Sequence, residues 1–260
     1  MPDATASDPL AVASESIEAL DLRELPVGEP GPREPASAPA RTARRRARRR
    51  PPGRRLFAFD RALGARFVAG ADEAGRGCLA GPLVAAAVLF DYERLSRADL
   101  RALSALNDSK QQTAERRDAL YPVILRVATR VAVVSRCAPG IDRRGLHVTN
   151  LAALRDALAR VACDGAICLS DGFPVAALGH QQQAVVGGDA RSAAIAAASV
   201  IAKVTRDRFM QRADAAHPGW EFASHVGYAT REHRAAIERL GITPLHRLSF
   251  QSAAYQQLAL

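Results

Sequence analysis

The 260-residue sequence predicts a mixed α/β sheet with a helical C-terminal portion. Two strand-like segments come first, strand and helix patterns then alternate, and helical patterns close the chain. Elements in this order are typical of one sheet covered by helices, with further helices added at the end.

The N-terminal residues 1–55 predict a disordered Ala/Pro/Arg-rich tail, and residues 56–260 predict the folded domain. The tail holds no aromatic residue, and a segment of this composition cannot bury enough apolar surface to fold. Residues 41–55 carry nine arginines and no acid. We expect this arginine run to follow a nucleic-acid backbone without reading its sequence, although a solvated linker is the alternative.

The folded part begins with two predicted strands. Phe67–Ala71 is strand-like, and the uncharged apolar run Leu83–Phe90 predicts a second, buried strand. Thr113–Leu125 has a helical pattern that contains Pro122, and the β-branched segment Val127–Cys137 predicts a third strand.

The second half of the domain predicts alternating elements. Each predicted strand there is short and apolar, and each helix follows from spacing or an alanine-rich composition. The predicted elements are a helix over Asn150–Val161, buried strands over Ala166–Leu169 and Gln183–Val186, a long helix over Ser192–Arg212, and closing helices over Thr230–Leu240 and Arg247–Leu258.

Composition restricts the class of protein. Residues 56–260 carry a net charge of +6, which suits a polyanionic partner, although ordinary solubility charge is the alternative. The four cysteines lack zinc-site spacing and predict buried free thiols in a reducing cytosol. No apolar run is long enough for a membrane span. We therefore expect a cytoplasmic protein that acts as a monomer, without a membrane partner.

Four acids follow predicted strands: Asp72, Glu73, Asp171 and Asp189. Ligands of open α/β sheets bind beside strand ends, so these side chains are expected to converge there. Converging carboxylates repel one another unless cations neutralise them. The set therefore predicts a pair of Mg²⁺ or Mn²⁺ ions, which together drive phosphodiester cleavage.

Asp72 and Glu73 raise a geometric difficulty, because neighbours on a regular strand point to opposite faces. They share a site only if the strand ends or bulges there, as Gly75 and Gly77 permit. Taken singly, an acid beside a glycine, such as Asp171 or Asp189, is more typical of a turn, so the prediction of a metal site depends on all four acids together.

A glycine–arginine–glycine turn, Gly75-Arg76-Gly77, follows the first two acids. Glycines let a backbone approach a ligand closely, and a guanidinium grips phosphate through two donors. With Ala80, these glycines also fit a dinucleotide fingerprint, but a strand-like run follows where that fingerprint requires a helix.

Two further residues are candidates for nucleic-acid contact. Lys110 lies in a polar loop, where it either meets a phosphate or is merely solvated. Tyr228 precedes a predicted helix, where it either stacks on a base or sugar or packs as a half-buried side chain.

Several segments closely resemble bacterial ribonuclease HII, over about residues 66–250. The two most specific are the run that contains the glycine turn and the run that leads into the alanine-rich helix. The matching segments are Gly70–Val88, Asp108-Ser109-Lys110, Asp171-Gly172, Gly188–Asp207, Gly227–Thr230 and Thr243–Arg247.

This resemblance implies an α/β fold, a ribonuclease H-like mixed sheet flanked by helices with a helical C-terminal extension. It implies a metal-dependent endonuclease that hydrolyses the RNA strand of RNA–DNA hybrids. The same family cleaves at single ribonucleotides embedded in duplex DNA. Its products carry 5′-phosphate and 3′-hydroxyl ends, and its cofactor is Mg²⁺ or Mn²⁺.

Site residues also follow from the resemblance. The four acids match the family's catalytic metal ligands. The glycine turn matches the segment that contacts the ribonucleotide 2′-hydroxyl and the adjacent phosphate, Tyr228 matches the tyrosine that stacks on the sugar, and Lys110 matches a lysine near the scissile phosphate. Gln111 and Val226 stand where the family commonly has lysine, which concerns binding strength and not chemistry.

Two other functions remain open at this point. One is a non-catalytic nucleic-acid-binding protein on the same fold, which the complete acid set disfavours. The other is a resolvase- or transposase-like nuclease on a related fold, which would cleave all-DNA junctions without needing a ribonucleotide.

Overall fold

A computed structural model describes residues 53–107 and 112–250. Its centre is a five-stranded sheet with the spatial order β3-β2-β1-β4-β5. The strands are β1 (Phe67–Ala74), β2 (Leu83–Asp91), β3 (Arg130–Arg136), β4 (Ala166–Asp171) and β5 (Gln181–Val185).

The sheet is mixed, as the sequence predicts. β1, β2 and β3 form an antiparallel meander, whereas β4 pairs parallel to β1, and β5 pairs parallel to β4. The register aligns Ala71 of β1 with Ser170 of β4. The residues that follow this pair, Asp72 and Asp171, therefore lie side by side at the end of the sheet where β1 and β4 reach their carboxyl ends.

Helices cover both faces of the sheet. They are α1 (Gly53–Ala62), α2 (Arg97–Ala102), α3 (Ala114–Val127), α4 (Ala138–Arg144), α5 (Leu146–Val161), α6 (Ala193–Ala216), α7 (Phe222–His225) and α8 (Arg231–Leu240). The α3, α6 and α8 helices begin after hydroxyl N-caps whose oxygens accept backbone N–H groups, which fixes their starting points.

The alanine-rich central strands let helices pack closely on each face. β2 is buried at all nine positions. Alternate residues of β1, such as Ala69 and Ala71, pack against α5 in one hydrophobic core cluster. On the other face, a Cβ atom on Gly70 would lie 2.3 Å from the backbone of Ala194 in α6. Only glycine permits this approach. The start of α6 therefore lies directly over β1, close to the strand end that carries the acids.

Several predicted elements need correction. The strand predicted at Gln183–Val186 is β5, and it is an exposed edge and not a buried strand: its three glutamines are exposed, as is Val186. α1 begins at Gly53, so residues 53–55, predicted in the tail, are helical. The rest of that tail lies outside the described residues.

The predicted last helix is also wrong where the structure describes it. Residues 247–250 are not helical, and residues 251–260 lie outside the described part of the chain. Arg247 is completely buried there, and its side chain bonds main-chain carbonyls, which holds this segment in an irregular conformation. The short helices α2, α4 and α7 were not predicted, since none is long enough to show a helical period.

No helix within the described ranges is long and apolar enough to cross a membrane. All four cysteines are free. Cys78 and Cys168 are buried, but the expectation of burial is wrong for Cys137, which is exposed, and for Cys163, which is half-buried.

Candidate active site

Three carboxylates converge at the edge of the sheet. Asp72 lies near the end of β1, Asp171 ends β4, and Asp189 lies in a 3₁₀ turn between β5 and α6. One oxygen from each lies within 4.8 Å of the other two. Asp72 and Asp189 are buried and Asp171 is half-buried. Carboxylate oxygens in such a group are the ligands that Mg²⁺ and Mn²⁺ prefer, so this donor set fits a divalent cation.

Main-chain groups fix the positions of these acids. The N–H of Gly188 donates to Asp171 Oδ1 over 2.7 Å, which joins β4 to the turn that carries Asp189. A Cβ atom on Gly188 would lie 2.5 Å from the end of the Ile195 side chain, so the turn packs closely against α6 at this point. The N–H of Glu73 donates to Asp72 Oδ1, also over 2.7 Å.

Glu73 does not belong to the three-acid group. The expectation that β1 ends or bulges at Asp72 is wrong, because the strand continues to Ala74 in regular register with β2. Regular alternation turns Asp72 toward the face of α6 and Glu73 toward the other face. The Glu73 carboxylate instead lies 3.9 Å from Arg76 Nη1. Its role as a metal ligand therefore stays a prediction.

The environment of Asp72 favours its neutral form when no cation is bound. Burial raises the pKa of Asp72 to about 8, and the negative charges of Glu73 and Asp171 add to this effect. A hydrogen bond with Ser199 of α6 acts in the opposite direction. A bound cation would reverse this balance, because it neutralises the charges that repel the Asp72 carboxylate.

Ser199 was missed by sequence reasoning, although a signal was present. It is the one polar residue in the run 193–202, which is otherwise alanine, isoleucine and valine. A single hydroxyl on a helix face that packs over a sheet edge is a candidate partner for an acid at that edge.

The glycine turn lies next to the acids. Gly75 has a positive φ of 85°, and a Cβ atom there would lie 1.9 Å from Arg206 Nε. Gly77 is exposed, and a Cβ atom there would meet nothing within 4 Å. Internal packing therefore explains Gly75 but not Gly77, and the latter leaves open space where a ligand can approach the backbone.

Arg76 projects from this turn and is 39% exposed. Its guanidinium lies 5.4 Å from the ring centroid of Phe173, which is itself exposed just after β4. The guanidinium thus lies between the Glu73 carboxylate and the Phe173 ring, beside the group of three aspartates.

Tyr228 is 44% exposed, and two contacts orient its ring. Its hydroxyl is hydrogen-bonded to the thiol of Cys78, one residue past the glycine turn. The Nζ atom of Lys203 lies 5.9 Å from the ring centroid and forms a 2.7 Å ion pair with Asp207. Tyr228 therefore presents a fixed, half-exposed ring beside the turn. Lys110 lies outside the described residues.

The fold matches solved ribonucleases H. The ribonuclease H2 of Pyrococcus horikoshii superposes with a TM-score of 0.63 at 25% identity, covering 74% of this chain and 98% of that protein. The strand order and the acids at the sheet edge thus define a nuclease of the ribonuclease H-like class.

Sequence comparisons specify the family within that class. The family model for ribonuclease HII matches residues 69–253. Ribonuclease HII of Rhizobium leguminosarum is 50% identical over 185 residues, which span 71% of this chain and 77% of the relative. Ribonuclease HII of Mycobacterium avium is 50% identical over 183 residues, which span 70% of this chain and 77% of the relative.

The chain belongs to the ribonuclease HII family. It is a metal-dependent nuclease that hydrolyses the RNA strand of RNA–DNA hybrids. This confirms the predicted enzyme class and the predicted sheet with helical C-terminal additions.

Proposed function

We propose that this ribonuclease H also cleaves at single ribonucleotides embedded in duplex DNA, by two-metal-ion hydrolysis that leaves 5′-phosphate and 3′-hydroxyl ends. The observation that carries the proposal is the group of three carboxylates beside a turn with open space at Gly77. Hydrolysis needs the acids, and recognition of one ribonucleotide needs close backbone approach to its 2′-hydroxyl.

In this proposal Asp72, Asp171 and Asp189 hold the divalent cations, and Glu73 completes the set from the neighbouring face. When bound, Mg²⁺ or Mn²⁺ would activate the attacking water and stabilise the leaving oxygen. Ser199 keeps the Asp72 carboxylate oriented, and the Gly188 N–H does the same for Asp171.

The turn and the tyrosine recognise the substrate. Arg76 offers a guanidinium at the rim, where it would grip the phosphate next to the ribonucleotide. Because Gly77 lacks a side chain, its backbone would reach the 2′-hydroxyl, the one local difference between RNA and DNA. The half-exposed ring of Tyr228 would stack on the sugar at the RNA–DNA junction, and Lys110 would contact the scissile phosphate.

The test uses a DNA duplex with one central ribonucleotide, incubated with wild type and with Asp72→Asn in Mg²⁺, Mn²⁺ or chelator. We expect wild type to cut once at the ribonucleotide, and the variant or the chelated enzyme to cut at least about a thousandfold more slowly. Circular dichroism checks that the variant stays folded. Wild-type-like turnover by Asp72→Asn would remove this residue from the mechanism.

The same experiment separates the alternatives. An all-DNA junction cut at a similar rate would favour the resolvase-like nuclease, and binding without cleavage would favour a non-catalytic protein. End-labelling with polynucleotide kinase identifies the products: a 5′-phosphate blocks labelling until phosphatase treatment. We further propose that the enzyme acts as a cytoplasmic monomer, which light scattering and cell fractionation test.

A further inference from the structure

Two arginines lie completely buried beneath the glycine turn and the Tyr228 loop. Arg206 belongs to α6, Arg247 lies past α8, and each has a relative exposure of 0%. Burying a guanidinium costs free energy unless its N–H groups are hydrogen-bonded. The groups that accept these hydrogen bonds are therefore the ones that each arginine holds in position. Both arginines donate to main-chain carbonyl groups of the loops that surround the candidate active site.

Arg247 holds the glycine turn directly. Its Nη1 donates to the carbonyl oxygen of Arg76 over 2.9 Å, and its Nε and Nη2 donate to the carbonyl of Gly81 over 3.1 and 2.8 Å. Arg247 thus joins the middle of the glycine turn to Gly81, which lies two residues before β2 begins.

Arg206 joins that same segment to the tyrosine loop. Its Nη1 donates to the carbonyl of Val226 over 2.8 Å, while its Nη2 and Nε donate to the carbonyls of Ala80 and Pro82, each over 3.0 Å. Val226 stands two residues before Tyr228. The two arginines therefore attach both substrate-contact loops to the segment 80–82.

Gly75 of the turn is shaped to the Arg206 side chain, because an added Cβ atom there would lie 1.9 Å from Arg206 Nε. At Gly81 and Gly227 the nearest atoms would be Met210 Sδ at 2.4 Å and the Ala80 carbonyl oxygen at 2.3 Å, with Arg206 Nη2 next at 3.2 and 3.3 Å. The turn thus packs directly on this guanidinium, and the shared segment and the tyrosine loop both lie close to it.

We propose that Arg206 and Arg247 are positioning residues that set the distance between the glycine turn and Tyr228, and thereby the discrimination of ribonucleotide from deoxyribonucleotide. This inference rests on the proposed function. Arginine is needed because its planar fork directs several donors at fixed angles, whereas a lysine ammonium acts as a single point charge. A lysine at either position would therefore keep the positive charge but not the set of hydrogen bonds to the loops.

The experiment compares Arg206→Lys with Arg208→Lys. Arg208 lies on the same helix, where it pairs with Asp118 at the surface and lies over the Tyr121 ring. Each protein binds a duplex with one ribonucleotide and the matching all-deoxy duplex, in chelator so that no cleavage occurs. The ratio of the two dissociation constants measures discrimination, and thermal melting shows that each variant is folded at the assay temperature.

We expect Arg206→Lys to lose about tenfold to a hundredfold in discrimination, since small displacements of positioned groups have effects of this size. Arg208→Lys should retain the wild-type ratio. Arg247→Lys provides an independent second variant and should also lose discrimination. A folded Arg206→Lys or Arg247→Lys protein with the wild-type ratio would overturn the positioning role.

A double-mutant cycle separates positioning from general destabilisation. If Arg247 acts through the turn, its effect on discrimination should largely disappear in an Arg76→Ala background, since contacting residues are not additive. Fully additive effects would contradict the proposal. Absence of discrimination in the wild type would instead refute the proposed function, so the two failures are distinguishable.

Discussion

Lowering the pH from about 8 to about 5 should destabilise this domain through two buried histidines, His233 and His246. The rings of His225 and His233 stack with centroids 4.1 Å apart, and His233 Nε2 lies 3.2 Å from His246 Nε2. Because the Thr243 N–H donates to His246 Nδ1, the proton of neutral His246 sits on Nε2 and donates to His233. His233 in turn donates through Nδ1 to the Tyr228 carbonyl.

The magnitude follows from two pKa values. Burial lowers the pKa of His233 and of His246 from 6.5 to about 4, and the charges of neighbouring histidines act in the same direction. Between these values the unfolded chain binds more protons than the folded one, so the free energy of unfolding falls as the pH falls from about 6.5 toward 4. At pH 5 the loss is about 2 kcal/mol for each histidine.

The assay is urea unfolding across this pH range, for wild type and for His246→Gln. Glutamine removes one titrating group, so the variant should lose about 2 kcal/mol less than wild type between pH 8 and pH 5. The quantity compared is the change in the free energy of unfolding between pH 8 and pH 5 in each protein. Contributions of other titrating groups, and any pH-independent packing cost of the substitution, cancel in this comparison. Parallel curves for the two proteins would show that His246 contributes nothing to the pH dependence of stability.

Three further perturbations test other parts of the account. Asp171→Asn removes one of the three grouped carboxylates and should weaken Mn²⁺ binding at least about tenfold by calorimetry, and unchanged affinity would exclude it as a ligand. Arg76→Ala should weaken the discrimination of a single-ribonucleotide duplex from all-DNA, because the phosphate next to the ribonucleotide is then no longer held against the turn, whereas unchanged discrimination would count against the turn. Deleting residues 1–50 should flatten the dependence of log K on log salt by about 0.9 for each phosphate released, and an identical slope would mean that the arginine run is only a solvated linker.

The sequence predicted the central strands well, because their signals are strong and local. Phe67–Ala71 and Leu83–Phe90 are apolar runs that form β1 and β2, and Ala166–Leu169 forms most of β4. The acids after two of these strands follow from the same reasoning, since a strand end fixes where the next side chain lies. β5 was only partly predicted: its apolar residues suggested a buried strand, but as the edge strand it buries Val185 while its three glutamines are exposed.

The rest of the site depends on contacts between distant segments. Arg206 and Arg247 gave no signal, because arginine normally lies at the surface and only the fold shows that main-chain carbonyls surround these two. Gly75 was predicted to approach a ligand, yet its closest neighbour is Arg206. Glu73 is separated from the three aspartates because β1 continues to Ala74 in regular register. The glycines that follow had suggested that the strand could end or bulge before that point.

We propose above that acids from β1, β4 and the turn before α6 together hold divalent cations. Anomalous diffraction from crystals soaked in Mn²⁺ would locate these ions. We expect metal peaks in contact with carboxylate oxygens of Asp72, Asp171 and Asp189, with Glu73 joining one of them. Mn²⁺ bound elsewhere in the crystals, with none among these oxygens, would show that these acids do not form the metal site.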